Sequence, residues 1–116
     1  MFRVKRAYQP PEPDDGLRYL VDRVWPRGVT KNALEIADWV REVAPSDALR
    51  QWFGHDPAKW EEFKQRYFSE LEAKPATWQP LLEASRRGVV TLVFSARDEE
   101  HNQAVALKEF LDKKVA

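Results

Sequence analysis

Three stretches of the chain carry the side chains best suited to chemistry: Asp22-Arg23-Val24-Trp25-Pro26-Arg27-Gly28, Gly54-His55-Asp56-Pro57, and Ser95-Ala96-Arg97-Asp98-Glu99-Glu100-His101-Asn102. Both histidines of the chain fall inside them. Around the first stretch, Arg18, Arg23, Arg27 and Lys31 oppose only Asp22 across residues 18–31, a local excess of three positive charges. Guanidinium forks bind carboxylate or phosphate oxygens two at a time, and Trp25 beside them can stack on a ring or a guanidinium. That pattern reads as a site for a small anion or nucleotide. The competing reading pairs Arg23 internally with a carboxylate such as Asp98 and leaves Trp25-Pro26 to pack.

The third stretch follows the most apolar run of the chain, so it is expected to turn from a strand into a helix. His101 lies one helical turn beyond Asp98 and can meet that carboxylate at i, i+3. A carboxylate that fixes an imidazole tautomer is half of a general-base pair, and equally half of a structural network. His55-Asp56 carries the same ambiguity, because Asp56 also suits a helix cap. His55, Asp98 and His101 are therefore the candidates for proton transfer. Arg23, Trp25, Arg27, Trp52, Ser95, Arg97 and Asn102 are the candidates for ligand contact. Trp52-Phe53 either packs its helix or walls a pocket. Asp98, Glu99 and Glu100 crowd the expected helix start and repel an added phosphate there. There is no Gly-rich loop between Phe94 and Asp98, hence neither a P-loop nor a dinucleotide fingerprint. Ser95 sits where a strand-end nucleophile would, but without the G-x-S-x-G elbow, and it also reads as a turn residue. Two imidazoles and one Asp suit zinc or iron(II) chemically, yet His55 and His101 lack diagnostic spacing, and no metal site is expected. Whether a cofactor is used is not set by these residues, and its identity stays unknown.

The elements that must position these residues follow from local pattern. Phe2–Tyr8 alternates as a strand, Gln9–Gly16 is a Pro-rich loop, and Arg18–Val24 is a second strand closed by Trp25-Pro26-Arg27-Gly28. Thr30 caps a short helix over Lys31–Leu34, whereas Asp38–Ala44 suits helix or strand. Ser46 caps a short helix ending at Gly54. Asp56 and Pro57 open a longer one in which Trp60, Phe63, Tyr67 and Leu71 share a face. A helix over Thr77–Arg87 stops at Gly88. Val89–Phe94 reads as a strand covered on both faces. Asp98 then caps a last helix over Glu99–Lys113 that buries Ala104, Leu107 and Leu111. Strands alternating with helices predict an α/β fold with a short, largely parallel sheet.

Composition narrows the classes. The chain has 116 residues, which fits one domain, and such a domain hides roughly two-thirds of its unfolded surface. With 19 basic and 19 acidic residues and no Cys, disulfides and thiolate chemistry are excluded and a reducing cytoplasm is the expected home. The charge is balanced in both halves, so non-specific nucleic-acid binding is not expected, and stacking of single strands on the aromatics is a minor reading. No run of about 18 apolar residues predicts a membrane span, and Met1–Arg6 does not resemble a signal peptide.

Four strings together carry a resemblance: Val21–Gly28, Trp39 with Ala44-Pro45-Ser46, Leu49–Pro57, and Thr91–Asn102. In this order they resemble the YeaO-like branch of the prokaryotic family called domain of unknown function 488, over nearly the whole chain from Val4 to Leu111. The resemblance implies a small cytoplasmic α/β protein and carries no established activity. Sister branches are similar but hold Cys near the end of the strand matching Val89–Phe94. Here Ser95 and His101 stand in that neighbourhood, so thiol chemistry does not transfer. Residues and resemblance converge on one expectation: a small anionic ligand held among Arg, Trp and His at the strand ends, with acid–base capacity. The alternative is a binding or regulatory module, for a protein or nucleic acid, in which the Arg–Asp–His network is structural.

Overall fold

Val90, Leu92, Val93 and Phe94 are all but inaccessible to solvent, and burying each such side chain contributes roughly 1.5–3 kcal/mol. The strand they form is covered on both faces and therefore sits inside a sheet. In the computed structural model, which describes residues 1–115, four parallel strands run in the order β1-β4-β2-β3. They are β1 (Phe2–Arg6), β2 (Leu17–Leu20), β3 (Asp38–Trp39) and β4 (Val90–Phe94). The register pairs Val4 with Leu92 and Tyr19 with Leu92 on its other side. Five helices accompany the sheet: α1 (Lys31–Leu34), α2 (Asp47–Phe53), α3 (Trp60–Glu72), α4 (Pro75–Ser85) and α5 (Gln103–Val115). The fold is thus α/β with a parallel sheet, as the pattern predicts. No helix of the described residues is long and apolar enough to cross a membrane.

The two faces of the sheet are packed by different parts of the chain. Phe2, Val90, Leu92 and Phe94 point into the main core with Phe63, Tyr67 and Leu71 of α3, Leu81 of α4 and Leu107 and Leu111 of α5. Alternation sends Leu20 and Val93 to the opposite face, where they meet Ala7 and Leu34 of α1, with Trp25 and Trp39 at the margin. That second face also carries a polar network near the start of β2. Arg18 donates from Nη1 to Asp15 Oδ2 at 2.7 Å and from Nε to the Leu34 carbonyl at 3.0 Å. Lys5 reaches the same carboxylate at 3.2 Å, and Thr91 donates its hydroxyl to the Asp15 carbonyl at 2.6 Å. Burial pushes the Asp15 carboxyl up, but bonds from the Glu12 N–H, Lys5 and Arg18 outweigh it and hold the group below the usual range. Next to it Gly16 has φ +65°, and a Cβ there would lie 2.1 Å from the Val89 carbonyl oxygen, so only glycine fits.

Several boundaries differ from the sequence reading, β1 ending at Arg6 rather than Tyr8 and α4 spanning Pro75–Ser85 rather than Thr77–Arg87 among them. β2 stops at Leu20 rather than Val24, because its ladders with both neighbours end there, opposite Val93 of β4 and Trp39 of β3. Asp38–Ala44 is neither one helix nor one strand: two strand residues lead into a 3-10 turn, Arg41–Val43. Asp56 does cap, with its carboxylate accepting from the Ala58 N–H at 3.0 Å, but it caps a 3-10 turn, Pro57–Lys59, that leads into α3. Asp98 caps no helix. The last helix begins at Gln103, where Asn102 Oδ1 accepts from the Val105 N–H at 3.0 Å.

Asp15→Ala leaves Arg18 buried with one fewer partner and Lys5 without its inner one. It is expected to cost about 3–5 kcal/mol, read as a lower urea midpoint at unchanged m-value.

Candidate functional site

The chain leaves β2 toward one face of the sheet, where α1 packs, and leaves β4 toward the other, where α5 packs. Such a divergence of neighbouring strands opens a crevice at their carboxyl ends. A cavity of about 710 Å³ lies there. Its walls come from five parts of the chain: Tyr8 after β1, Asp22–Arg27 after β2, Ala44-Pro45 with Arg50, Phe53 and His55 around α2, Phe63 of α3, and Ser95–Asp98 with His101–Gln103 between β4 and α5. Nine of the ten candidate residues therefore line one cavity: Arg23, Trp25, Arg27, His55, Ser95, Arg97, Asp98, His101 and Asn102. Trp52 does not. It precedes Phe53 on α2, about 100° round the helix, and its half-buried ring lies against the Arg66 guanidinium, 4.2 Å away, and Lys59 Nζ, 5.1 Å away.

Each wall is fixed by identifiable bonds. The two indoles brace the loop after β2: Trp39 Nε1 donates to the Asp22 carbonyl and Trp25 Nε1 to the Val29 carbonyl, both at 2.7 Å. Their rings meet edge to face at 5.4 Å. Tyr8 Oη donates to the Arg27 carbonyl at 3.0 Å. The α2 wall is anchored on α3. Tyr67 donates its buried hydroxyl to the Val43 carbonyl at 2.6 Å, and the Ser46 N–H and hydroxyl both donate to the Glu70 carboxylate. Lys74 Nζ ties the same loop through the Glu42 and Ala44 carbonyls at 2.9 Å each. Gly54 and His55 then take φ +53° and +57°, two successive left-handed residues that swing the exposed imidazole to the cavity rim.

The charges differ in how they are occupied. Arg23 and Arg50 both approach Asp47, Arg23 Nε at 3.7 Å; Asp98, the carboxylate anticipated for Arg23, is instead paired with His101. Arg23 Nε is buried without a hydrogen-bond acceptor. Arg27 and Arg97 are exposed and take part in no ion pair among the described residues. Asp98 organises its own loop. Its Oδ1 accepts from the Glu100 and His101 N–H groups at 2.9 and 3.0 Å, its Oδ2 lies 2.9 Å from His101 Nδ1, and its carbonyl accepts from Asn102 Nδ2. The Glu100 N–H foremost, then His101, hold the Asp98 carboxyl below its ordinary value. The His101 ring also sits edge-on to Trp60 at 5.4 Å. Because α5 starts only at Gln103, the acidic residues Asp98–Glu100 do not crowd its N-terminus.

Asp22 is the residue that the candidate set lacks. It is 6 % exposed and joins three segments: Ser95 donates to its Oδ2 from N at 3.0 Å and from Oγ at 2.6 Å, and Gln103 Nε2 donates to its Oδ1. Ser95 thus acts as a turn-forming donor. Burial pushes the Asp22 carboxyl up, and the donors offset this only in part. The sequence signal was an Asp placed directly after the buried Val21 at a strand end. Gln103 and Arg50 carried no comparable signal.

The comparisons with known proteins bear on this geometry. Residues 1–116 match the model of the family described as "Inactive DUF488-N3 subclade". This chain belongs to that family. It is 40% identical over 110 residues to the uncharacterized protein Rv3073c of Mycobacterium tuberculosis (strain H37Rv), covering 95% of this chain and 92% of that one. It is 36% identical over 110 residues to the uncharacterized protein YeaO of Escherichia coli K12, covering 95% and 96%. No solved structure gives a significant match.

The two carboxyls are expected to titrate on opposite sides of the ordinary aspartate value of about 3.9, Asp22 above and Asp98 below, in a carbon-13 NMR titration. Asp98 then adds stability above the ordinary range that is lost as pH falls through its lower value. The ionised Asp22 works against the fold, and that cost disappears as pH falls from its raised value toward the ordinary one. Separately, Asn102→Ala removes the α5 cap and is expected to cost about 1 kcal/mol, measured by urea denaturation.

Proposed function

We propose that this chain, acting as one cytoplasmic domain, binds a small anionic ligand in the strand-end cavity and does not turn it over. The observation that carries the reading is that Arg27 and Arg97, exposed and unpaired among the described residues, line the same cavity. Arg23, with a buried Nε lacking an acceptor, lies with them. Guanidinium groups without carboxylates attract oxyanions from solution, and a walled cavity strengthens that attraction over open water. Trp25 and Pro26 form the apolar side, and His55 stands at the rim. The family's description as inactive supports a binding role over catalysis, as does the commitment of Asp98 to the backbone of its own loop. Nucleic acid is disfavoured as a partner by the balanced charge of the whole chain.

A second reading is favoured by one contact. His101 Nδ1 lies 2.9 Å from Asp98 Oδ2, the arrangement that orients a general base. Under that reading the cavity performs proton transfer on its ligand. His101→Ala then abolishes turnover of any ligand found while leaving its affinity intact.

The binding reading is tested by isothermal titration with phosphate, sulfate and small carboxylates. Millimolar or tighter binding of at least one is expected. Arg27→Ala and Arg97→Ala should each weaken it on the order of tenfold or more, with melting temperatures close to the parent because both side chains are exposed. Absence of binding by all these anions, or equal binding by the double variant, overturns the reading.

A further inference from the structure

Guanidinium groups alone do not distinguish one oxyanion from another. The cavity holds a group that does. Of its two lining carboxylates, Asp98 is committed to two backbone N–H groups and to His101. Asp22 is the more deeply buried and takes part in no ion pair among the described residues. A carboxylate offers about four acceptor sites. Two donors from Ser95 converge on Oδ2 and one from Gln103 reaches Oδ1, which leaves one acceptor site on Oδ1.

A carboxylate that already receives three donors, and that only accepts when ionised, treats ligands entering an anion cavity unequally. A bare oxyanion, whose oxygens are all acceptors, places lone pairs and like charge against Asp22 away from bulk water, where both are costly. An oxyanion that brings its own O–H turns the same contact into a charge-assisted hydrogen bond. The same logic lets sites built around a substrate hydroxyl reject analogues lacking it by large factors. We propose that Asp22 is the specificity-determining residue of this cavity, restricting it to oxyanions that carry an O–H donor, such as hydrogen phosphate or a hydroxycarboxylate, and excluding bare acceptors such as sulfate. The inference rests on the oxyanion reading above and adds to it a rule for which oxyanion enters.

The test uses matched pairs that differ in the O–H group. Phosphate is compared with sulfate, and glycolate with acetate, by isothermal titration at neutral pH with the full chain. Tighter binding by at least about tenfold of the O–H-bearing member is expected in whichever pair binds, and which pair binds separates a phosphate-type from a carboxylate ligand. Asp22→Asn, whose amide presents N–H donors to a bare acceptor, should bring that ratio toward one by improving binding of the poorer member. Equal binding within each pair overturns the role of Asp22 and leaves the oxyanion reading standing. Binding by none of the four overturns both. A ratio unchanged in a folded Asp22→Asn protein also overturns the role of Asp22. The comparison within the unmodified chain decides the matter even if that variant fails to fold.

Discussion

The burial of β4 on both faces is the constraint on which the remaining architecture depends. A strand with Val90, Leu92, Val93 and Phe94 all excluded from solvent must be flanked by strands and covered above and below. The chain meets the demand unequally. Four helices supply one cover, whereas a one-turn helix, a loop and the Lys5–Asp15–Arg18 cluster supply the other. The connections out of β2 and β4 consequently depart in opposite directions, and the polar strings that follow those strands cannot pack against each other. They face across a gap instead.

That gap would be loosely defined without the junction at Asp22. Residue 22 lies far along the chain from residues 95 and 103, yet its one carboxylate receives hydrogen bonds from both. It fixes the end of β2 relative to the start of α5, and with them the positions of Arg23, Arg27 and Arg97. The arrangement keeps the carboxyl in a poorly solvated place, and that burial pushes it up. Buried acids of this kind concentrate where proteins handle ligands.

Much of the framework was readable because it is encoded locally. The apolar run of β4, the three-and-four spacing of Phe63, Tyr67 and Leu71, and the Ser46 and Gly54 ends of α2 each declare themselves within a few residues. Where local signals compete, the sequence does not choose between them. Asp98 and Asn102 stand four apart and each bonds a backbone N–H three residues on, so either has the signature of a helix start. Asn102 is buried beside Ala104 and Ala106, and packing decides in its favour. Trp52 shows the same limit. Adjacent positions on a helix point about 100° apart, so Trp52 and Phe53 meet different surroundings, and only the fold shows that Phe53 is the one lining the cavity. Convergence of the strand-end strings was foreseeable from the general behaviour of parallel sheets. The pairing of Arg23 with Asp47 was not, because it depends on how α2 is seated on α3 through Tyr67 and Glu70.

The left-handed backbone at His55 has a practical side. A β-carbon in that conformation is strained, and glycine would make the same bend more comfortably. Thermal robustness and an imidazole at the entrance are therefore in opposition at this one position. Any engineering campaign that relaxes the turn to gain melting temperature erases the ring, so residue 55 is the place where hardening the scaffold and preserving its doorway become mutually exclusive aims.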